Sequence, residues 1–193
     1  MKIEELIKKL KKERNIGKIS LMLLLVSLIF GISFTLFSNP EIEFVSFLRS
    51  VATWFIVIFI IMYIAAALIN IIMAIISGKS DFYAALSSLV YTKLVFGIPM
   101  LISAIISRIP VNNVLITIKL IVFLLIILAS STLSLSILIR FLKELYDSDL
   151  LTVIVVLGIF SIVVILSWAV LIGLISMFYI KDLMQQTTST GLI

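Results

Sequence analysis

The chain has 193 residues, 63% of them hydrophobic and 13% charged, with a net charge of +5 and neither cysteine nor histidine. Its mean hydropathy of +1.34 is more than a soluble domain of this length can hide. Without thiols and imidazoles there are no disulfides, no thiol nucleophiles, few routes to zinc or haem and no usual neutral-pH proton shuttle, so no enzyme, cofactor or metal site is expected.

The apolar residues lie in runs of about 20 or more, the length needed to cross a hydrocarbon core of roughly 30 Å at 1.5 Å rise per residue. A spanning segment must satisfy its own backbone, and the weak alternation of polar and apolar residues argues against a barrel. The predicted fold is therefore all-α: a polytopic membrane protein, a bundle of five transmembrane helices preceded by a short amphipathic N-terminal helix.

Residues 1–16 read as that basic amphipathic helix. Ile3, Leu6, Ile7 and Leu10 share one side, and Glu4–Lys8 and Glu5–Lys9 make i, i+4 pairs, with Gly17 ending the helix. Seven of the fifteen basic residues fall in the first eighteen positions, directly before an apolar run. That placement suits a membrane face and its anionic lipid headgroups rather than nucleic acid.

The first span covers about 19–37, an uncleaved anchor without a small-x-small site. Ser38-Asn39-Pro40 breaks it, Glu41 and Glu43 make the connection acidic, and Phe44 to Arg49 is expected to lie along that surface. The second span, about 51–77, opens with Trp54 at an interface. Ala65, Ala66, Ala67 and Ala74 permit close helix approach, and Asn70 is a lone amide read as an interhelical hydrogen bond ahead of a ligand contact.

Gly78 to Phe82 turns the chain into a third span, about 84–107, and Arg108 to Asn113 forms the next turn. The fourth span, about 114–139, carries Lys119 near its outer end and Ser130, Ser131, Thr132, Ser134 and Ser136 further in. Ser130 and Ser134 share one side and Thr132 and Ser136 another, as packing hydroxyls. Arg140 to Leu150 reads as a charged loop; its acids lack EF-hand spacing, so a divalent cation is not expected. The fifth span covers about 151–180, within a membrane domain of 17–181, and a polar tail occupies 182–193.

With the amino terminus inside, ten lysines and arginines fall on the cytoplasmic side and three outside. The loop-charge rule then puts the amino terminus in the cytoplasm and the carboxyl terminus outside, in a cell membrane.

Gly78-Lys79-Ser80-Asp81-Phe82, followed by an apolar helix with Tyr91 and Pro99, resembles the Yip domain family of Ypt/Rab-interacting membrane proteins. The resemblance implies a cytoplasmic amino terminus and five closely packed spans. Eukaryotic members are associated with vesicle budding and small GTPases through a long cytosolic region; this chain has about sixteen residues there and none of those motifs, so GTPase binding does not carry over.

Two intramembrane lysines complete the candidate positions, which are Lys93, Asn70, Pro99, Gly78 and Lys119. Lys93 lies about 13 Å from the inner end of its span at helical rise, too deep to snorkel easily. It is read as a structural lysine held by groups such as Asn70, Thr92 or the Val95 carbonyl, or as a contact for an anion or lipid headgroup. Lys119 is close enough to the outer end to snorkel. Gly97 and Pro99 predict a bend or local unwinding, for packing or as a gate. The functional expectations are a non-enzymatic membrane-organising scaffold with a membrane-protein partner or a homo-oligomer; a small transporter, channel or lipid-handling protein using Lys93; or an accessory subunit of a membrane complex.

Overall fold

The structure is a computed structural model that describes residues 3–38, 43–109 and 113–189; at 113–115, 171 and 173–189 only the helical backbone is described. Six helices follow in order: α1 (Ile3–Glu13), α2 (Ile16–Ser38), α3 (Phe44–Ser77), α4 (Phe82–Ser107), α5 (Asn113–Leu145) and α6 (Leu150–Ser189). No strand occurs among the described residues. By length and composition α2 to α6 supply five helices able to cross a bilayer, which makes the chain a multi-pass membrane protein.

α2 sits at the centre, against both α3 and α4, while α5 packs on α4 and α6 on α3 and α5. Its buried residues Ile19, Leu23, Val26 and Phe30 recur at helical spacing and form one stripe. Close approach depends on Gly31. A Cβ there would stand 3.1 Å from the Val51 carbonyl oxygen and 3.3 Å from the Phe55 nitrogen, so α3 crosses α2 backbone to backbone. Around that crossing Phe34 stacks on Trp54 with ring centroids 5.0 Å apart, and Thr35 donates to Ser50 at 3.1 Å. Ala66 is also fully buried, as its small size allows.

On the other side of α2, Gly97 of α4 faces Phe30 and Ile29, and a Cβ there would come within 3.0 Å of the Phe30 ring and 3.2 Å of Ile29 Cγ2. Ala84 to Val90 are buried without interruption, so the first turns of α4 are the most enclosed part of the bundle. The sheath is looser. In α6 the buried residues Val153 and Val156 both lie in its first two turns, and large apolar residues such as Ile162, Ile165 and Trp168 beyond them are exposed to the surroundings.

Several boundaries differ from the sequence reading. Asn15 starts α2 by accepting from the Lys18 amide at 3.1 Å, so α1 already ends at Glu13 and Gly17 belongs to the first turn of α2 rather than closing α1. Phe44 to Arg49 does not lie apart along a surface; it forms the first turns of α3. The charged stretch from Arg140 continues α5 to Leu145, which shortens the connection to α6, and α6 stays helical to Ser189 through most of the segment read as a tail. Of the breaks expected at Ser38-Asn39-Pro40 and from Arg108 to Asn113, residues 39–40 and 110–112 lie outside the described residues, and Ser38 is the last residue of α2.

Candidate functional site

The polar residues gather at one end of the bundle, where α1 meets the α3–α4 and α5–α6 turns. Gly78 ends α3 in the left-handed region, φ 68°, its amide donating to the Ala74 carbonyl at 3.0 Å. Three residues later Asp81 begins α4 by accepting from the Ala84 amide at 3.1 Å. The short turn is therefore a C-cap followed by an N-cap.

Asn70, two turns back on α3, holds this turn in place. Its side-chain oxygen accepts from the Asp81 amide at 2.6 Å and lies 3.1 Å from the Tyr146 hydroxyl, and its amide donates to Ser80 at 3.2 Å. The Tyr146 hydroxyl also lies 2.7 Å from the Asp81 carbonyl. Burial first, and the Asp81 carboxylate second, push the Tyr146 hydroxyl well above its ordinary range, so it remains a protonated donor. Asn70 thus bonds to residues of the two inter-helix turns rather than to a side chain of a neighbouring helix, and no hydrogen bond joins it to Lys93.

The α5–α6 turn is built in a similar way. Asp147 takes φ 47°, and the Ser148 amide donates back to the Lys143 carbonyl at 3.0 Å, a left-handed close to α5. Lys79 from the neighbouring turn donates to the Asp147 carbonyl.

α1 is fastened across both turns. Ile7 and Leu10 are 4% and 6% exposed and join the protein core, so its apolar side meets the bundle and not the bilayer. Ion pairs flank that contact: Lys11 with Asp147 at 2.5 Å, Arg14 with Asp81 at 2.5 Å and Arg140 with Glu4 at 2.6 Å. Glu4 is therefore drawn to α5 rather than to Lys8. The hydrogen bond from Lys11 lowers the Asp147 carboxyl below its ordinary range. Among the described residues Lys8, Lys9 and Lys12 make no ion pair, and at helical spacing they lie on the side of α1 away from Ile7 and Leu10.

The remaining candidates separate. Lys93 is half-buried, with Nζ 5.8 Å from the centre of the Phe96 ring, and among the described residues no hydrogen bond or ion pair reaches it. Phe96 in turn stacks on Phe30. The predicted hold by Asn70, Thr92 or the Val95 carbonyl is thus replaced by an aromatic face. Pro99 lies inside a continuous α4, so no unwound segment forms there, and Gly97 serves the contact with α2.

Lys119 turns its ammonium to the end of α4. It donates to the Ser107 and Ile109 carbonyls at 2.7 and 2.8 Å, closing the free end of α4. Beside it a groove of about 570 Å³ runs between α4 and α5, lined almost wholly by apolar side chains. Of the α5 hydroxyls, Ser130 and Ser134 are buried, and Ser134 lies 3.4 Å from the Thr92 carbonyl, whereas Thr132 bonds within its own helix and Ser131 and Ser136 are exposed.

Sequence reading did not single out Tyr146, Asp81 and Arg14 as one cluster, nor Ser27, Ser87 and Ser103. The hydroxyls of these three serines and of Thr92 are buried without a hydrogen-bond partner. A small-residue position on the buried stripe was the available signal for the serines; pairs such as Glu4–Arg140, 136 residues apart, leave none. Comparison with family models, curated proteins and solved structures finds no match to this chain.

Proposed function

We propose that the protein is a non-enzymatic, membrane-organising component with the Yip-like layout, and that its working surface is the outward side of α1. The observation that carries this reading is the division of charge on that helix. Its apolar side is packed, Lys11 is ion-paired, and Lys8, Lys9 and Lys12 are left as three unpaired ammonium groups on the far side. A cationic surface held rigidly to a membrane bundle is suited to retain an acidic partner there.

Because α1 is tied to two inter-helix turns, its outward side points away from the end of the bundle and so away from the bilayer. That favours an acidic protein surface over anionic headgroups. The same end holds most of the basic residues, and the loop-charge rule supports a cytoplasmic position for it. A photo-crosslinking amino acid at Lys9 in intact cells tests the reading. Protein adducts that disappear in the K8E/K12E background support it; adducts to lipid alone, or protein adducts indifferent to charge reversal, overturn it.

A second reading, transport or lipid handling through Lys93, is favoured by one observation: its ammonium has an aromatic face and no hydrogen-bonding partner in the described protein. Lys93→Met in sealed vesicles decides it. Lost flux with an intact fold supports this reading, and unchanged flux ends it.

A further inference from the structure

We propose that the groove between α4 and α5 binds one anionic glycerophospholipid from the leaflet at the face opposite α1. The site is independent of the α1 surface and stands or falls separately from it.

The groove's volume of about 570 Å³ lies within the range of ordinary ligand pockets. α4 and α5 are consecutive and antiparallel, so Lys119 and Ile109 mark the shallow end and Ser103 and Ile126 the deep end. From Lys119 to Ile126 the helix rises about 10 Å, enough to lay the upper part of an acyl chain along Val122, Phe123 and Ile126. Ile118, Leu120 and Val122 on its rim are exposed, so the trough opens sideways to acyl chains.

Two polar features say which molecule fits. An ammonium has three N–H groups, and the Ser107 and Ile109 carbonyls take two of those on Lys119, leaving the third at the mouth of the groove. Among the described residues no carboxylate pairs with it, so its charge is offset only by the partial negative end of α4. The rim therefore calls for an anion.

Deeper in, Ser103 is 2% exposed, lines the trough, and its hydroxyl has no hydrogen-bond partner. It lies four residues, about 6 Å, below Ser107. A turn about χ1 brings that hydroxyl towards an acceptor in the trough. Phosphate at the rim, ester carbonyl one helical turn deeper and an apolar chain below that is the vertical order of a glycerophospholipid. A second copy of this chain, presenting an apolar helix, would satisfy neither Lys119 nor Ser103.

Delipidated protein in mild detergent, titrated with dioleoylphosphatidylglycerol or dioleoylphosphatidylcholine and read by native mass spectrometry, tests the site. The first phosphatidylglycerol is expected to bind about fivefold more tightly than phosphatidylcholine, the worth of one lysine near an anionic surface. Lys119→Gln removes that preference. Ser103→Ala weakens both lipids by about fivefold, as loss of one hydrogen bond implies. Ile126→Trp, which fills the trough, removes the first binding event for both, while Ile162→Trp on the exposed part of α6 changes nothing. Equal affinity of the wild type for the two lipids overturns the proposal, and so does unaltered binding in Ile126→Trp. The circular dichroism of each variant reports its fold, and Ser103→Ala decides the matter should the cap on α4 need Lys119.

Discussion

Gly31 and Gly97 mark close approaches to α2 from either side, and alanine at each gives a graded test of how the bundle is held. Both lie inside helices, where alanine is favoured over glycine by about 1 kcal/mol. At Gly31 the new methyl meets Val51 O at 3.1 Å and Phe55 N at 3.3 Å, both backbone atoms of α3, so no rotamer relieves the contact. α2 and α3 must separate, straining the Phe34–Trp54 stack and the Thr35–Ser50 bond. Overpacking of this kind costs about 1–3 kcal/mol, and a weakened interhelical hydrogen bond adds about 0.6 kcal/mol. Net of the helix gain, Gly31→Ala is expected to destabilise by about 1–2 kcal/mol. At Gly97 the obstacle is the edge of the Phe30 ring at 3.0 Å and a methyl of Ile29, side-chain atoms that can turn aside. Gly97→Ala is then within about 1 kcal/mol of the wild type, and it costs less still in a Phe30→Leu background. Reversible unfolding by sodium dodecyl sulfate in mixed micelles, followed by circular dichroism, measures both. Gly31→Ala as stable as wild type, or less damaging than Gly97→Ala, would refute the reading of α2 and α3 as meeting backbone to backbone.

The Asn70 cluster makes a second test. Asn70→Ala strands the Asp81 amide, a part-buried donor, and should cost about 2–3 kcal/mol. Tyr146→Phe removes one hydroxyl proton and should cost about 1 kcal/mol. That single proton favours the Asp81 carbonyl at 2.7 Å over Asn70 at 3.1 Å, so the two changes should be near-additive in the same micelle assay; coupling above about 1.5 kcal/mol would reassign the bond to Asn70. The attachment of α1 should depend on pH through Asp147. Its folded pKa lies below the ordinary 3.8, so the stabilisation is present above that value and lost as pH falls through the lowered folded one. Hydrogen exchange over residues 3–13 should accelerate on such acidification, and Asp147→Asn should remove that step. Leu10→Asp, which puts a charge where the residue is 6% exposed, should release α1 at every pH while α2 to α4 keep their protection; unchanged exchange in α1 would show that its apolar side is not what holds it.

Hydropathy made the five long helices legible, because bilayer thickness constrains segment length directly. Local capping was partly legible: Gly78 was visible as a turn, but Asn15, which starts α2, was passed over for Gly17 two residues later. The arrangement of charge was not legible. The helical pairing rule matched Glu4 with Lys8, four residues away, whereas the fold brings Arg140 within 2.6 Å. Likewise Lys11 and Asp147 meet across 136 residues through the order in which α4, α5 and α6 pack. Nothing in either local sequence encodes that meeting.

Lys93 and Lys119 show the same limit from within the apolar runs. Each is a lone lysine in a spanning helix, and depth along the run separates them only by reach. What decides their roles is the neighbour at that depth. α4 ends beside Lys119, and the carbonyl of Ser107, one of those a helix terminus leaves without an intrahelical donor, and that of Ile109 just past the cap take up its N–H groups. No helix ends beside Lys93: the α4 backbone runs on unbroken to Ser107, and the α2 face opposite is the stripe that carries Phe30. No hydrogen bond from the described residues reaches the ammonium, the Val95 carbonyl that Pro99 leaves without its helical donor included, and it rests over Phe96, itself fixed by stacking on Phe30. The residue at the rim is thereby a cap with one donor to spare, and the residue at depth is a cation whose only described partner is a ring.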